Sequence, residues 1–214
     1  MRVYERETMV RLRVLTAACV FAFFLVVGLA SADDEANKEQ AAKSKAAVAE
    51  KAVVEGTKTP PSETITKTEA QAVDPRGKEP LDDAITCLAR TIYLEARNAA
   101  VAVMEAVASV VMNRLGHEGF PDTVCGIVKQ GQEQNACQFS WWCSKRPDSA
   151  QDEKSYAVAK EIARKALNRE LRDPTGGALY FHDKRSNPEW AKKFIRTATI
   201  EDMEFYKPGD SKAK

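Results

Sequence analysis

The side chains in this 214-residue sequence that could do chemistry are few: Glu95, two histidines (His117 and His182), four cysteines after residue 80, and a set of aromatic and amide residues. Glu95 lies near the end of AITCLARTIYLEAR, where Ile85, Leu88, Ala89, Ile92 and Ala96 recur at i, i+3, i+4, i+7 and i+11. That is the spacing of one buried helical face. At about 100° per residue Glu95 points only about 20° from Leu88, so it stands on the border of that face. Two readings follow. Glu95 is an edge residue whose carboxylate snorkels into water, or it is half-buried. Low dielectric would then raise its pKa and keep it protonated near neutral pH as a general acid.

The remaining groups narrow the chemistry. Two histidines are too few for a zinc site built on several imidazoles, and no metal or cofactor is expected. Cys87, Cys125, Cys137 and Cys143 are an even set. In an exported chain an even set reads as two disulfides with three possible pairings. The short Cys137–Cys143 spacing suits a stapled loop, which leaves Cys87 with Cys125; the alternative is a nucleophilic cysteine partnered by His182. Near-balanced charge, 32 Lys+Arg against 31 Asp+Glu, with no basic stripe, excludes a phosphate-binding surface for nucleic acid.

Asp82 or Asp83 can cap the helix carrying Glu95. AVAVMEAVASVVMNRL, at about residues 100–115, is apolar nearly all round and reads as the central buried helix, with Glu105, Ser109 and Asn113 sharing one stripe at i, i+4, i+8. A third helix is expected from about Asp148-Ser149 to Leu171, with Tyr156, Ile162, Ala163, Ala166 and Leu167 inward. The Asp173–Gly177 turn ends it. Extended segments are expected at 178–182 and 197–206. Together these describe an α+β domain over 81–207, followed by a tail, 208–214.

The amino-terminal part reads differently. Arginines at 2, 6, 11 and 13 precede an apolar run from Val14 to Ala30 and a small-residue site at Ala30-Ser31-Ala32. This is the pattern of a signal peptide over 1–32, with a retained membrane anchor through 14–32 as the alternative. Either one places the rest of the chain outside the cytoplasm, in the periplasm or cell envelope. No aromatic residue occurs between Leu25 and Ile92. Residues 33–80, rich in Ala, Lys, Thr and Pro, are therefore expected to be a disordered linker, because they offer little apolar area to offset chain entropy.

Several motifs in order carry a resemblance. Ala89-Arg90-Thr91-Ile92-Tyr93-Leu94-Glu95-Ala96-Arg97 is followed by Ala106-Val107-Ala108-Ser109-Val110-Val111-Met112-Asn113-Arg114. Then come Phe120 to Val128, Cys137-Gln138-Phe139-Ser140-Trp141, Asp173 to His182, Pro188-Glu189-Trp190 and Phe205-Tyr206. In this run the chain resembles the SleB/CwlJ-like cell wall hydrolases, the family of spore cortex-lytic enzymes.

The resemblance implies a lysozyme-like, lytic transglycosylase-like (resuscitation-factor-like) catalytic domain that acts on peptidoglycan glycan strands as a monomer. It implies cleavage between N-acetylmuramic acid and N-acetylglucosamine, with Glu95 as the single catalytic acid and base. An ordinary glycosidase needs two carboxylates across the bond; a lytic transglycosylase needs one. Phe139, Trp141, Tyr180 and Trp190 would offer faces to sugar rings, and Gln138, Ser140 and His182 polar contacts, with core packing the competing role for each aromatic. The chain departs from the family pattern at Asn98-Ala99, where Gly-Glu is usual, and at Met203, where a His is common. An amidase and a wall-binding scaffold remain as alternatives.

Overall fold

In the computed structural model, residues 32–134, 136–144 and 149–209 are described, so the signal-peptide segment 1–31 and residues 210–214 of the tail lie outside the described residues. The chain divides between residues 38 and 39. Residues 32–38 are helical. From residue 39 onward the described residues form one unit of seven α-helices, three short 3-10 segments and a small sheet.

The linker expected over 33–80 is overturned by the structure. Residues 39–54 are helical (α1) and bury Ala42, Ala46 and Ala49 completely, at i, i+4 and i+7. Aromatic residues are not needed here, because a stripe of methyl groups lets a helix backbone lie close against a neighbouring core. Small residues then replace large ones, each buried carbon contributing about 0.8 kcal/mol. Polar contacts fix the register of α1. Glu50 accepts from the Val124 backbone N–H at 2.6 Å, Lys45 pairs with Glu69 at 2.8 Å, and Lys43 lies 3.7 Å from Asp83.

The Pro/Thr-rich stretch is also built in. Helix α2 (Lys67–Ala72) opens on a capping box in which Thr66 and Glu69 satisfy each other's backbone N–H groups. Just beyond it Asp74, wholly buried and left-handed (φ 44), accepts from Lys78 N, Glu79 N, Arg90 Nε and Nη2, and Tyr156 OH. Gly77 is required at φ 60, where a side chain would collide with Ala150.

Helix α3 (Ala84–Glu95) is capped by Asp83, whose carboxylate accepts from Thr86 N at 2.8 Å. Its ten residues from Ala84 to Tyr93 are all buried, so α3 is the central helix rather than α4 (Val101–Arg114), whose first residues Val101 and Ala102 are exposed. Helix α4 instead bridges two cores. Val103, Val107 and Val111 pack among the helices, while Ala106 and Val110 meet Ala178 and Phe205 beside the sheet.

Helices α5 (Val124–Lys129) and α6 (Ser140–Cys143) are short. Helix α7 (Glu153–Leu167) begins later and ends earlier than the periodicity predicts. Asp152 caps it by accepting from Lys154 N and Ser155 N, and left-handed Arg169 (φ 59) ends it. Its predicted inward residues, Tyr156, Ile162, Ala163, Ala166 and Leu167, are all buried.

Strands β1 (Tyr180–Asp183), β2 (Phe194–Ile200) and β3 (Met203–Pro208) form an antiparallel sheet in the order β1-β3-β2. The single extended segment expected at 197–206 is in fact a hairpin. Ile200 pairs with Met203 across a tight turn in which Glu201 adopts φ 48. Side chains alternate across a sheet with a period of two. Phe181 and Phe205, paired across β1 and β3, accordingly pack into the core. Tyr180 with Tyr206 and His182 with Glu204 take the other face.

Candidate active-site cleft

Glu95 is the last residue of α3, followed by a bend through Ala96 and left-handed Asn98 (φ 67) that turns the chain toward α4. This places its carboxyl where the central helix reaches the surface. The residue is partly buried, and its Oε1 is shielded from water with no hydrogen-bond partner among the described residues. Burial raises its pKa to about 7, against a smaller opposing pull from the Arg114 guanidinium. A helix C-terminus, which disfavours negative charge, acts in the same direction as burial.

Two hollows meet at this carboxyl. The larger, about 750 Å3, is lined by Glu95, Arg114, Gln138, Ser140, Tyr180, His182, Asp183, Trp190 and Met203 among others. The second, about 540 Å3, is lined by Leu94, Glu95, Arg97, Ser140, Trp141, Ser144 and Gln151. Glu95 and Ser140 are common to both, so an elongated ligand lying across them would pass over the carboxyl.

The larger hollow has an aromatic wall. Trp190 lies 5.7 Å from Tyr180, 5.6 Å from Phe194, 5.5 Å from His182 and 5.6 Å from Tyr206, ring centre to ring centre. His182 stacks on Tyr206 at 5.2 Å, with Nε2 3.2 Å from the phenol oxygen and Nδ1 2.9 Å from the Asp183 carbonyl. Tyr206 OH donates to Glu204 (2.7 Å), which is also held by Arg196 at 2.6 Å. Such ring faces with few convergent polar groups suit sugar rings more than charged or purely apolar ligands.

Of the residues singled out in the sequence, Glu95, Gln138, Ser140, Tyr180, His182 and Trp190 line the larger hollow. Trp141 lies on the second, with its ring largely buried. Phe139 does not reach either one. It is fully buried between Phe181 and Arg114, so a sugar contact for Phe139 is replaced by core packing. The stripe of α4 faces elsewhere: Ser109 and Asn113 line a separate hollow of about 200 Å3 with Arg169 and Asp173. Asn113 there donates to the Ala178 carbonyl at 3.1 Å.

Disulfides join Cys87 to Cys125 and Cys137 to Cys143, with Cα–Cα distances of 5.3 and 6.0 Å. These four cysteines are committed, which removes the cysteine–histidine nucleophile. The second bridge closes the loop that brings Gln138 and Ser140 to the cleft wall.

Arg114 and Asp183 were not anticipated. Asp183 belongs to the cleft wall, but Arg185 holds both its oxygens, at 2.9 and 2.6 Å, and keeps it well below the usual carboxylate range. Arg114 could have been found, since a cation on a helix that is apolar nearly all round has no exposed face to occupy.

The model of the Cell Wall Hydrolase family matches residues 99–206, just over half of the chain. The chain belongs to the cell wall hydrolase family. Glu95 lies four residues before the matched segment, so its place is described by the geometry above. The spore cortex-lytic enzyme of Halalkalibacterium halodurans is 32% identical over 112 residues, covering 51% of this chain and 29% of that protein. That of Bacillus cereus is 31% identical over 116 residues, covering 53% of this chain and 38% of its own length. The chain thus spans well under half of the length of these curated relatives. Two solved structures are similar. The catalytic domain of the Bacillus cereus SleB protein matches at 26% identity and a TM-score of 0.46, over 58% of this chain and 89% of that one. The catalytic domain of the germination-specific lytic transglycosylase SleB from Bacillus anthracis matches with the same two values, over 61% and 98%.

Proposed function

We propose that this protein is a lytic transglycosylase of the cell envelope that cuts peptidoglycan between N-acetylmuramic acid and N-acetylglucosamine, with Glu95 as its only acid and base. The observation that carries the reading is a half-buried carboxyl of raised pKa, about 7, standing where two sugar-sized hollows meet. In the first step protonated Glu95 gives its proton to the bridging oxygen as the C1–O bond breaks. The muramyl sugar's own 6-hydroxyl then attacks C1 and returns a proton to the Glu95 carboxylate. The products are a 1,6-anhydro end and a free hydroxyl; no water is consumed, and Glu95 ends the cycle protonated as it began.

Tyr180 and Trp190 would carry sugar rings on the larger side, and Trp141 would flank the smaller side. Gln138, Ser140 and His182 offer hydrogen bonds to hydroxyl and acetamido groups. Asp183, the other carboxylate of the wall, is tied to Arg185 and is a poor candidate for activating water. Action as a monomer on a polymer is part of this reading. Among the described residues no helix is long and apolar enough to cross a membrane. Export would rest on residues 1–32, removed as a signal or kept as a tether through 14–32.

The experiment is mass spectrometry of soluble products after the full chain acts on purified peptidoglycan, beside Glu95→Gln. Anhydro-muropeptides that disappear in the variant support the proposal. Reducing-end sugars mean hydrolysis and a second carboxylate. No released product from either protein, with sedimentation onto peptidoglycan retained, replaces the enzyme by a wall-binding scaffold.

A further inference from the structure

Arg114 is the most unusual group in the cleft. Its residue is 3% exposed, yet it carries a charge in a setting made mostly of rings. The guanidinium lies 5.1 Å from the ring centre of Phe120, 5.2 Å from Phe139 and 5.5 Å from Tyr180. Nε donates to the Leu179 carbonyl at 2.7 Å. Nη1 is buried with no hydrogen-bond partner among the described residues, and the side chain lines the same hollow as Glu95, whose Oε1 is also unpartnered. Burying a charged donor without an acceptor is costly, so a fold that keeps one at a cleft is expected to recover that cost when something binds there.

We propose that Arg114 is a second catalytic residue: its unpartnered Nη1 donates to a substrate oxygen beside the bond being cut, and its charge stabilises the carboxylate that Glu95 becomes once it has given up its proton. The inference rests on the transglycosylase reading. It gives the orphaned donor an acceptor of the neutral carbonyl or hydroxyl class, matching a sugar's acetamido and hydroxyl oxygens. It also explains how a carboxyl desolvated enough to hold its proton can still part with it. The cation lowers the cost of the anion only as the anion forms, which is where a fixed charge accelerates a reaction most. The cation is itself strained toward neutrality, since burial lowers its pKa to about 10, with Tyr180 and Glu95 opposing.

The charged groups sharing this setting are Arg97 in the turn after α3, and His182 and Asp183 on β1; the 138–140 segment brings only neutral Gln138 and Ser140. None of these replaces Arg114, because Asp183 is spent on Arg185 and Arg97 lines only the second hollow, leaning over the Tyr93 ring at 5.8 Å.

The test is the pH dependence of kcat and kcat/KM on peptidoglycan for the full chain, Arg114→Gln and Arg114→Lys, with thermal unfolding of each as a folding control. For Arg114→Gln the expected result is a fall in kcat of about 10²–10³-fold, with the alkaline limb of kcat/KM moved to higher pH. Loss of the cation leaves Glu95 harder to ionise, hence the direction. For Arg114→Lys the alkaline limb stays where it is in the natural protein, and kcat falls at least about tenfold because the planar fork is gone. A folded Arg114→Gln whose alkaline limb and kcat match the natural protein overturns the proposal. If the Gln variant does not fold, the Lys variant decides: natural kcat means that Arg114 only fills space. An inactive natural protein would instead overturn the transglycosylase reading, and a Glu95-dependent protein indifferent to Arg114 would overturn only this inference.

Discussion

Two acidic side chains bear on α3, Asp74 through Arg90 within the helix and Glu95 as its last residue, and they differ in what surrounds the oxygens. At Asp74 each oxygen accepts hydrogen bonds, from Lys78 and Glu79 backbone N–H groups on one and from Arg90 and Tyr156 on the other. The Arg90–Asp74 pair is 2.8 Å apart and essentially closed to solvent. At Glu95 one buried oxygen has no partner among the described residues, Arg114 has a bare buried Nη1, and both residues line a cleft. A satisfied buried ion pair is a fastener; a carboxyl and a guanidinium donor left unsatisfied beside a hollow make a site waiting for a ligand. The first ties residues 65–80 to the helix that carries the second.

Four expectations sharpen this contrast. The largest is on turnover. Glu95→Gln should lower anhydro-product release by about 10²–10⁴-fold while binding to peptidoglycan is retained, measured by mass spectrometry and pelleting; equal turnover would dissolve the distinction between the two carboxylates. Next, Asp74→Ala should destabilise the fold by about 3–5 kcal/mol in urea unfolding, since it removes the anion from a buried charge network. The fraction that remains folded should keep its natural turnover. A loss below about 1 kcal/mol would mean that the Asp74 region does not fasten anything.

A third expectation concerns α1. Ala46→Leu forces a larger side chain into a fully closed contact and should cost about 1–3 kcal/mol. A true linker would show no change in Tm. The smallest effect is a matter of sign. Glu95 holds its proton to about 7 when folded but ionises near the ordinary 4.5 when unfolded, so the folded state binds more protons between those values. Stability therefore falls as pH rises from about 4.5 through 7. Glu95→Gln should remove that loss, leaving the variant more stable than the natural protein at pH 8 by roughly 1–3 kcal/mol and little changed at pH 4. A variant less stable at pH 8 would show that Glu95 is held by contacts the structure lacks.

Much of this was legible in the residues. An aspartate cap on α3 at Asp82 or Asp83, the bounds of α4 to within a residue, the buried face of α7 and the border position of Glu95 all follow from local periodicity and capping chemistry, while the choice of Asp83 came from the fold. The amino-terminal half of the fold was not. An alanine stripe carries little hydrophobic signal alone, and its value depends on a partner surface that only the folded chain supplies. The hairpin at Glu201 was hidden for a related reason, since its turn has no glycine and lies inside one extended run.

Sequence by itself determined the three long helices α3, α4 and α7, the even set of cysteines and the one carboxyl at the edge of a buried face, because those depend on spacing along the chain. Tertiary structure decided which aromatics face the cleft and which fill the core. In β1 the alternation of Tyr180 and His182 against Phe181 becomes a choice of sides only once β3 pairs beside it. It also set Arg114 against Glu95, from the ends of two different helices, and the electrostatics of that pair come from distance and burial that no single segment contains.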